Sequence, residues 1–164
     1  MDKLLKAPSW FIFIYLLASF LLLSENWTAN SFTNAILKSI GMVMFGFYPL
    51  CIGYFLSDYL PKKISMNVTF FLFNWTYWVG FFCAILILFD GNEASFSGFL
   101  AIPFFYFFFS AIYVYLFSIK VLKSVLSHSE VSLIDSLGSA LLLVFWPLGV
   151  WIIHPKIKKI LESS

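Results

Sequence analysis

One carboxylate stands inside a long apolar run of this sequence and is the residue there most able to do chemistry. Asp135 lies within the apolar run of residues 131–153. Three serines share its helical face: Ser132, Ser136 and Ser139. An ionisable group inside a membrane segment marks a proton or cation pathway, because burying it unpaired is costly. The alternative is that Asp135 caps a helix beginning near Ser132, where water still reaches it.

The other chemistry-bearing residues form no recognisable catalytic set. Cys51 and Cys83 each lie inside an apolar run, with no His nearby in sequence, so their spacing suggests neither a metal site nor a redox pair. The sequence also contains no Gly-rich phosphate loop and no paired-carboxylate or Ser/His/Asp pattern. We therefore expect a protein that is not an enzyme and that uses no metal and no cofactor.

The composition identifies the solvent in which these residues work. The chain has 164 residues, of which 62% are hydrophobic, 22% aromatic and 11% charged, and its mean hydropathy is +0.94. Soluble domains carry roughly a quarter charged residues, so lipid must solvate most of this surface. We predict an all-α integral membrane protein with one polytopic domain over residues 1–164. Its loops are too short to hold a folded catalytic domain.

Four apolar runs are long enough to cross a bilayer, which takes about 20 residues. They cover residues 8–24, 35–56, 68–89 and 98–119. The first run follows a basic segment, as a signal peptide does, but no small-residue cleavage site follows it. We interpret it as a retained signal anchor.

A fifth hydrophobic segment, residues 131–153, allows two topologies. Pro147 and Gly149 are its candidate hinge, because proline removes a helical hydrogen bond and clashes with the preceding turn. A re-entrant hairpin turning at residues 147–149 would return the basic tail, residues 154–164, to the cytosol. A true fifth span, kinked near Trp146, would place that tail outside.

Charge placement predicts the orientation and a basic inner surface. The runs of Lys alternate with acidic loops, so the positive-inside rule puts the N-terminus in the cytoplasm, in a membrane that we expect to be a bacterial inner membrane. The lysines on this side form a collar: Lys62, Lys63, Lys120, Lys123, Lys156, Lys158 and Lys159. Such a collar attracts anionic lipid. Repeated around an oligomer, it could also bind a cytosolic nucleotide or oligonucleotide.

A stripe of mostly small residues runs along the second apolar run. Ser39, Gly46 and Gly53 recur every seven residues, nearly two helical turns, with Met42 and Pro49 between them on the same face. Small residues let helix backbones approach closely in a membrane, which favours a packing face. The alternative is a pore-lining face with a proline hinge.

Polar side chains also lie within the third and fourth runs. The third contributes Asn74, and the fourth places Tyr106, Ser110 and Tyr113 along one side. Hydroxyl and amide groups in an apolar segment need partners or water. They therefore predict either hydrogen bonds between helices or a hydrated path.

These features favour two classes of function. The first is an oligomeric ion channel or membrane-permeabilising effector pore, formed by several copies and gated by a cytosolic anionic ligand or a partner. The alternative is a non-catalytic accessory or assembly subunit that docks on a protein partner. Self-association separates them, because only the channel must close a ring with copies of itself.

Overall fold

The computed structural model describes residues 2–89 and 98–162, and within these ranges every regular element is a helix, as predicted. The helices in chain order are α1 (Asp2–Leu5), α2 (Ser9–Ser24), α3 (Ser31–Phe55), α4 (Val68–Leu88), α5 (Ala101–Ser127), α6 (Leu133–Val144) and α7 (Trp146–Glu162). Short 3₁₀ turns lie at Leu56–Tyr59 and Gly98–Leu100.

Three helical segments are long and apolar enough to cross a membrane. They are Ser31–Tyr59, Val68–Leu88 and Ala101–Ser127. The pair α6 and α7 would make a fourth if it is one broken span. Helix α2 has 16 residues, or about 24 Å at 1.5 Å per residue, and does not reach the length of a span. The expected span at residues 8–24 is therefore a helix in the right place but shorter than a hydrocarbon core of about 30 Å.

Helix α3 lies at the centre of the bundle. It packs against α2 on one side and against α4 and α5 on the other, while α5 also packs against α6 and α7 reaches back to α2. Many large apolar side chains point outward. Phe105, Ile112 and Phe73 are 70%, 59% and 57% exposed. In water such a surface would drive aggregation, whereas lipid solvates it at no cost.

Polar caps start three of the helices. The Asn30 and Asn67 side chains accept hydrogen bonds from the backbone N–H groups of Thr33 and Phe70, at the starts of α3 and α4. Ser132 does the same for α6. An N-cap side chain satisfies one of the donors that a helix start leaves open, which is why the helices begin at these residues within apolar sequence.

The fifth hydrophobic segment folds as two helices, α6 and α7, with a bend of 119° between them, as either a broken span or a re-entrant loop would have; this bent pair is called the hairpin below. The break lies at Phe145, next to Trp146, where a kink is expected, and the alternative turn at residues 147–149 is instead the first turn of α7. The Phe145 carbonyl accepts from the N–H groups of Leu148 and Gly149, at 3.1 and 2.9 Å. Pro147 has no N–H to offer and fits a first helical turn, so the chain breaks just before the proline.

Only glycine fits at position 149. A Cβ atom there would overlap the carbonyl oxygen of Leu142 in the preceding helix. Backbone cannot move aside as a flexible side chain can. The close approach of α7 to the end of α6 therefore depends on Gly149.

The basic tail is not separate from the hydrophobic segment. Helix α7 continues to Glu162, whereas the sequence analysis ended the segment at residue 153. Ile153, Ile157 and Ile160 are buried at three- and four-residue spacing, so one face of the tail packs on the bundle and holds it helical. In the same way α5 extends past its expected end at residue 119 to Ser127.

Candidate functional site

A buried amide joins α4 to α5. Asn74 is fully buried, and its Oδ1 atom accepts from the Tyr106 hydroxyl at 3.2 Å and from the Ser110 hydroxyl at 3.0 Å. Its Nδ2 group donates to the Phe70 carbonyl at 2.8 Å. The structure thus brings together three of the predicted intramembrane polar residues. Their polar groups satisfy one another within the chain, as interhelical hydrogen bonds do.

Tyr113, the fourth residue of that predicted set, lies outside the cluster around Asn74. Its ring packs edge-on against Phe70, with 5.0 Å between the ring centroids, and it also packs against Phe117. It contributes aromatic packing between α4 and α5 rather than a bond to the amide.

The glycines of the α3 stripe face α4. A Cβ on Gly46 would lie 2.9 Å from Val79, and the Trp75 indole N–H donates to the Gly46 carbonyl at 2.8 Å. Gly53 lies directly against the ring of Phe71. Side chains of the same chain therefore occupy this face of α3.

The other residues of the stripe are buried or form hydrogen bonds. The Pro49 carbonyl accepts from the Ser118 hydroxyl of α5 at 2.8 Å. Met42 is buried, and the Ser39 hydroxyl donates to the Ala35 carbonyl one turn back in its own helix, at 2.8 Å. Within one chain, Gly46, Pro49 and Gly53 of the stripe therefore contact other helices, whereas the Ser39 hydroxyl bonds within α3.

Asp135 is exposed and lies in the first turn of α6. Its backbone N–H donates to the Ser132 hydroxyl oxygen at 3.1 Å, and that hydroxyl donates to Asp135 Oδ2 at 2.7 Å. The Lys123 ammonium donates to the Asp135 backbone carbonyl at 2.6 Å. This geometry is that of a helix cap. Ser136, which shares the face, donates to the Ser132 carbonyl at 3.0 Å.

The lysines of the predicted collar fall into three groups. Two have carboxylate partners: Lys120 lies 2.8 Å from Glu130, and Lys158 lies 3.5 Å from Glu162. Three are exposed away from these pairs: Lys62, Lys63 and Lys159. The remaining two, Lys123 and Lys156, come from α5 and α7 and line one groove.

That groove lies between α5, α6 and α7 and has a volume of about 40 Å³. Its walls are apolar, with Ile119 and Leu122 from α5, Leu142 from α6 and Ile152 from α7. Ser139 supplies a third polar group from α6, beside the two lysines. The fold therefore gathers two cationic side chains and a hydroxyl that are far apart in sequence.

One buried histidine is not predicted from the sequence. His154 is fully buried in α7, and its Nε2 atom lies 2.7 Å from the Ala7 carbonyl oxygen. Since a carbonyl can only accept, Nε2 carries the hydrogen, and in the neutral ring Nδ1 accepts from the Tyr48 hydroxyl at 3.3 Å. His154 lies one turn before the buried Ile157, which is the signal that could have revealed it.

The break in the hairpin leaves backbone groups open. The Leu143 and Val144 carbonyls and the Trp146 N–H have no hydrogen-bond partner within residues 2–89 and 98–162. Leu143 loses its usual helical donor because the fourth residue on is Pro147. Val144 and Phe145 are 48% and 66% exposed, whereas Leu143 and Trp146 on either side of them are buried, so the break reaches the surface of the single chain only at Val144 and Phe145.

No family model, curated protein or solved structure matches this chain. Among the described residues, no three His, Cys, Asp or Glu side chains gather as metal ligands. The hairpin and the groove beside it are therefore the features of the molecule that bear on its function.

Proposed function

We propose that the protein assembles with copies of itself into an oligomeric ion channel, with the α6–α7 hairpin re-entering the membrane toward a shared axis. The observation that carries this proposal is the set of open backbone groups at the hairpin break. Helix α6 has 12 residues, about 18 Å, so a break at its end would lie near the middle of a hydrocarbon core of about 30 Å.

Contacts at the two ends of the hairpin support a re-entrant path. The start of α6 is held by Lys123, near the end of α5. The second half of α7 is held at Ala7, just before α2, through His154. The lysine distribution favours an N-terminus in the cytoplasm. With that orientation, α6 begins and α7 ends on the cytoplasmic side.

The open carbonyls at the break favour a hydrated interior. Irregular backbone at membrane depth is tolerated only where protein covers it or where it lines a water-filled cavity. Around a symmetry axis, the carbonyls of the half-exposed Val144 residues of several copies would form a ring of oxygen atoms. Such rings stabilise permeating cations.

This proposal moves the conducting surface away from α3. The stripe from Gly46 to Gly53 is filled by α4 and α5, and the polar groups around Asn74 are satisfied. Opening a pore along α3 would require separating those contacts. The hairpin break is open without any rearrangement.

The setting we propose is a bacterial inner membrane, with gating from the cytosolic side. The exposed lysines Lys62, Lys63 and Lys159 would be repeated around the axis and attract anions. A nucleotide, an oligonucleotide or an acidic protein partner could bind there by charge and bias the hairpin.

A second candidate is an accessory or assembly subunit. The interior of the bundle is closed around α3, and a different membrane protein could cover the hairpin break as well as a second copy could. In that case, the partner's polar groups would bond to the exposed Val144, and the protein alone would neither form a ring nor conduct.

The experiment is native mass spectrometry of the purified full-length protein in detergent, followed by ion flux from liposomes made with the same sample. A closed homo-oligomer that conducts is expected. Phe145→Ala at the break should change single-channel conductance, whereas Phe105→Ala, an equally exposed phenylalanine on α5, should leave it unchanged. A monomer that conducts nothing would overturn the proposal in favour of the accessory subunit.

A further inference from the structure

We infer that the groove between α5, α6 and α7 binds the phosphate group of an anionic phospholipid of the cytoplasmic leaflet. The groove brings Lys123, Lys156 and Ser139 together from three helices. The inference uses the membrane orientation proposed above but does not depend on channel activity.

The two lysines of the groove differ from the paired lysines of the collar. Within the described part of the chain, neither Lys123 nor Lys156 has a carboxylate partner, whereas Lys120 and Lys158 do. Among the described residues, no ion pair therefore neutralises the two ammonium groups of the groove.

The hydrogen-bond inventory of the groove fits a phosphate. The Lys123 ammonium has three donors, and the Asp135 carbonyl holds one, which fixes the group in place and leaves two. The Ser139 hydroxyl is half-buried and has no hydrogen-bond partner among the described residues, so it can donate as well. With Lys156, the groove presents donors from three directions to an anion that accepts through several oxygens.

The apolar walls select a lipid over a soluble anion. A volume of about 40 Å³ holds no more than a few water molecules, so the groove cannot enclose a nucleotide. A phosphate can sit at its mouth, between the lysines, if the rest of the ligand extends along the outside. Leu126 and Ile152 border the groove and are 42% and 45% exposed, which gives acyl chains an apolar surface to follow.

The test is native mass spectrometry of the full-length protein titrated with phosphatidylglycerol or with phosphatidylcholine. We expect the anionic lipid to bind preferentially. Lys156→Gln should weaken its binding about five-fold, since a lysine near an anionic membrane surface contributes about 1 kcal/mol. Ser139→Ala should also weaken it, with no change of charge.

Lys62→Gln is the matched control, because it removes the same charge from an exposed lysine outside the groove. Equal losses in Lys62→Gln and Lys156→Gln, with none in Ser139→Ala, would mean a diffuse collar and overturn the site. Displacement of the lipid by millimolar inorganic phosphate would identify a soluble-anion site instead. Lys123→Gln is a second test, although it also removes a bond to α6.

The lipid-binding test and the channel test can fail independently of each other. Selective binding of phosphatidylglycerol by a protein that conducts no ions would remove the channel and keep the lipid site. A conducting oligomer that binds both lipids equally would do the reverse.

Discussion

The Nε2 atom of His154 lies 2.7 Å from the carbonyl oxygen of Ala7, although the two residues are 147 positions apart. The other ring nitrogen faces the Tyr48 hydroxyl at 3.3 Å. One buried imidazole thus joins α7, α3 and the segment before α2. This contact holds the returning arm of the hairpin against the rest of the bundle.

His154→Phe should lower the free energy of unfolding by about 1–3 kcal/mol, because it leaves the Ala7 carbonyl and the Tyr48 hydroxyl without a buried partner. Tyr48→Phe is the milder comparison, since it removes only the longer contact. Unfolding of the purified protein in mixed detergent micelles measures both. Equal stability of wild type and His154→Phe would show that the histidine does not anchor the hairpin.

Gly149→Ala should be the most damaging glycine substitution in the hairpin. The added Cβ overlaps the Leu142 backbone oxygen, so the two helices must separate, at a cost of about 2–4 kcal/mol. Gly138→Ala is the matched control on α6, where nothing lies within 4 Å of the new Cβ. There alanine should be neutral or stabilise by up to about 1 kcal/mol through its higher helix propensity. Similar melting temperatures for the two variants would contradict this packing.

The long helices follow from sequence patterns, whereas the contacts between them do not. Runs of apolar residues predict α3, α4 and α5, because each satisfies its backbone internally and needs only lipid around it. Asn74 and Ser110 were both predicted as polar residues in need of partners. That they bond to each other depends on how α4 and α5 rotate about their axes, which runs that are apolar on every side do not specify.

The C-terminal third was harder to predict for a different reason. A proline predicts a break in a helix but does not fix whether the break lies before the proline or includes it. The sequence therefore predicts the turn at residues 147–149, whereas the break lies at Phe145. The hydropathy of the run falls at His154, so the sequence predicts that the hydrophobic segment ends at residue 153. Burial of one face of α7 compensates for its lysines, and this tertiary effect extends the helix to Glu162.

The hydrogen bonds of Asn74 should couple α4 to α5. In a double-mutant cycle, Asn74→Ala and Ser110→Ala should show a coupling energy of about 0.6 kcal/mol and at most about 1.7 kcal/mol, the range for such bonds inside membranes. The cycle is measured by unfolding in detergent. Tyr113→Phe serves as the control, because it removes a hydroxyl that does not bond to Asn74 and should show no coupling to it. Additive losses for Asn74 and Ser110 would contradict the interhelical bond.

Cysteine labelling should show which surface of the assembled protein is wet. In a background with Cys51→Ala and Cys83→Ala, Phe145→Cys at the hairpin break should react in membranes with a water-soluble thiol reagent, because the proposed channel hydrates the break. Phe105→Cys, on the exposed face of α5, should stay unreactive because lipid surrounds it.

Thiol labelling on the α3 stripe tests the alternative conducting path. Gly46→Cys should also be unreactive, since Val79 and Trp75 fill the space beside that glycine. Labelling at Gly46→Cys together with protection at Phe145→Cys would return the conducting path to α3. Protection at all three positions would instead indicate that protein covers the hairpin break, as an accessory subunit requires.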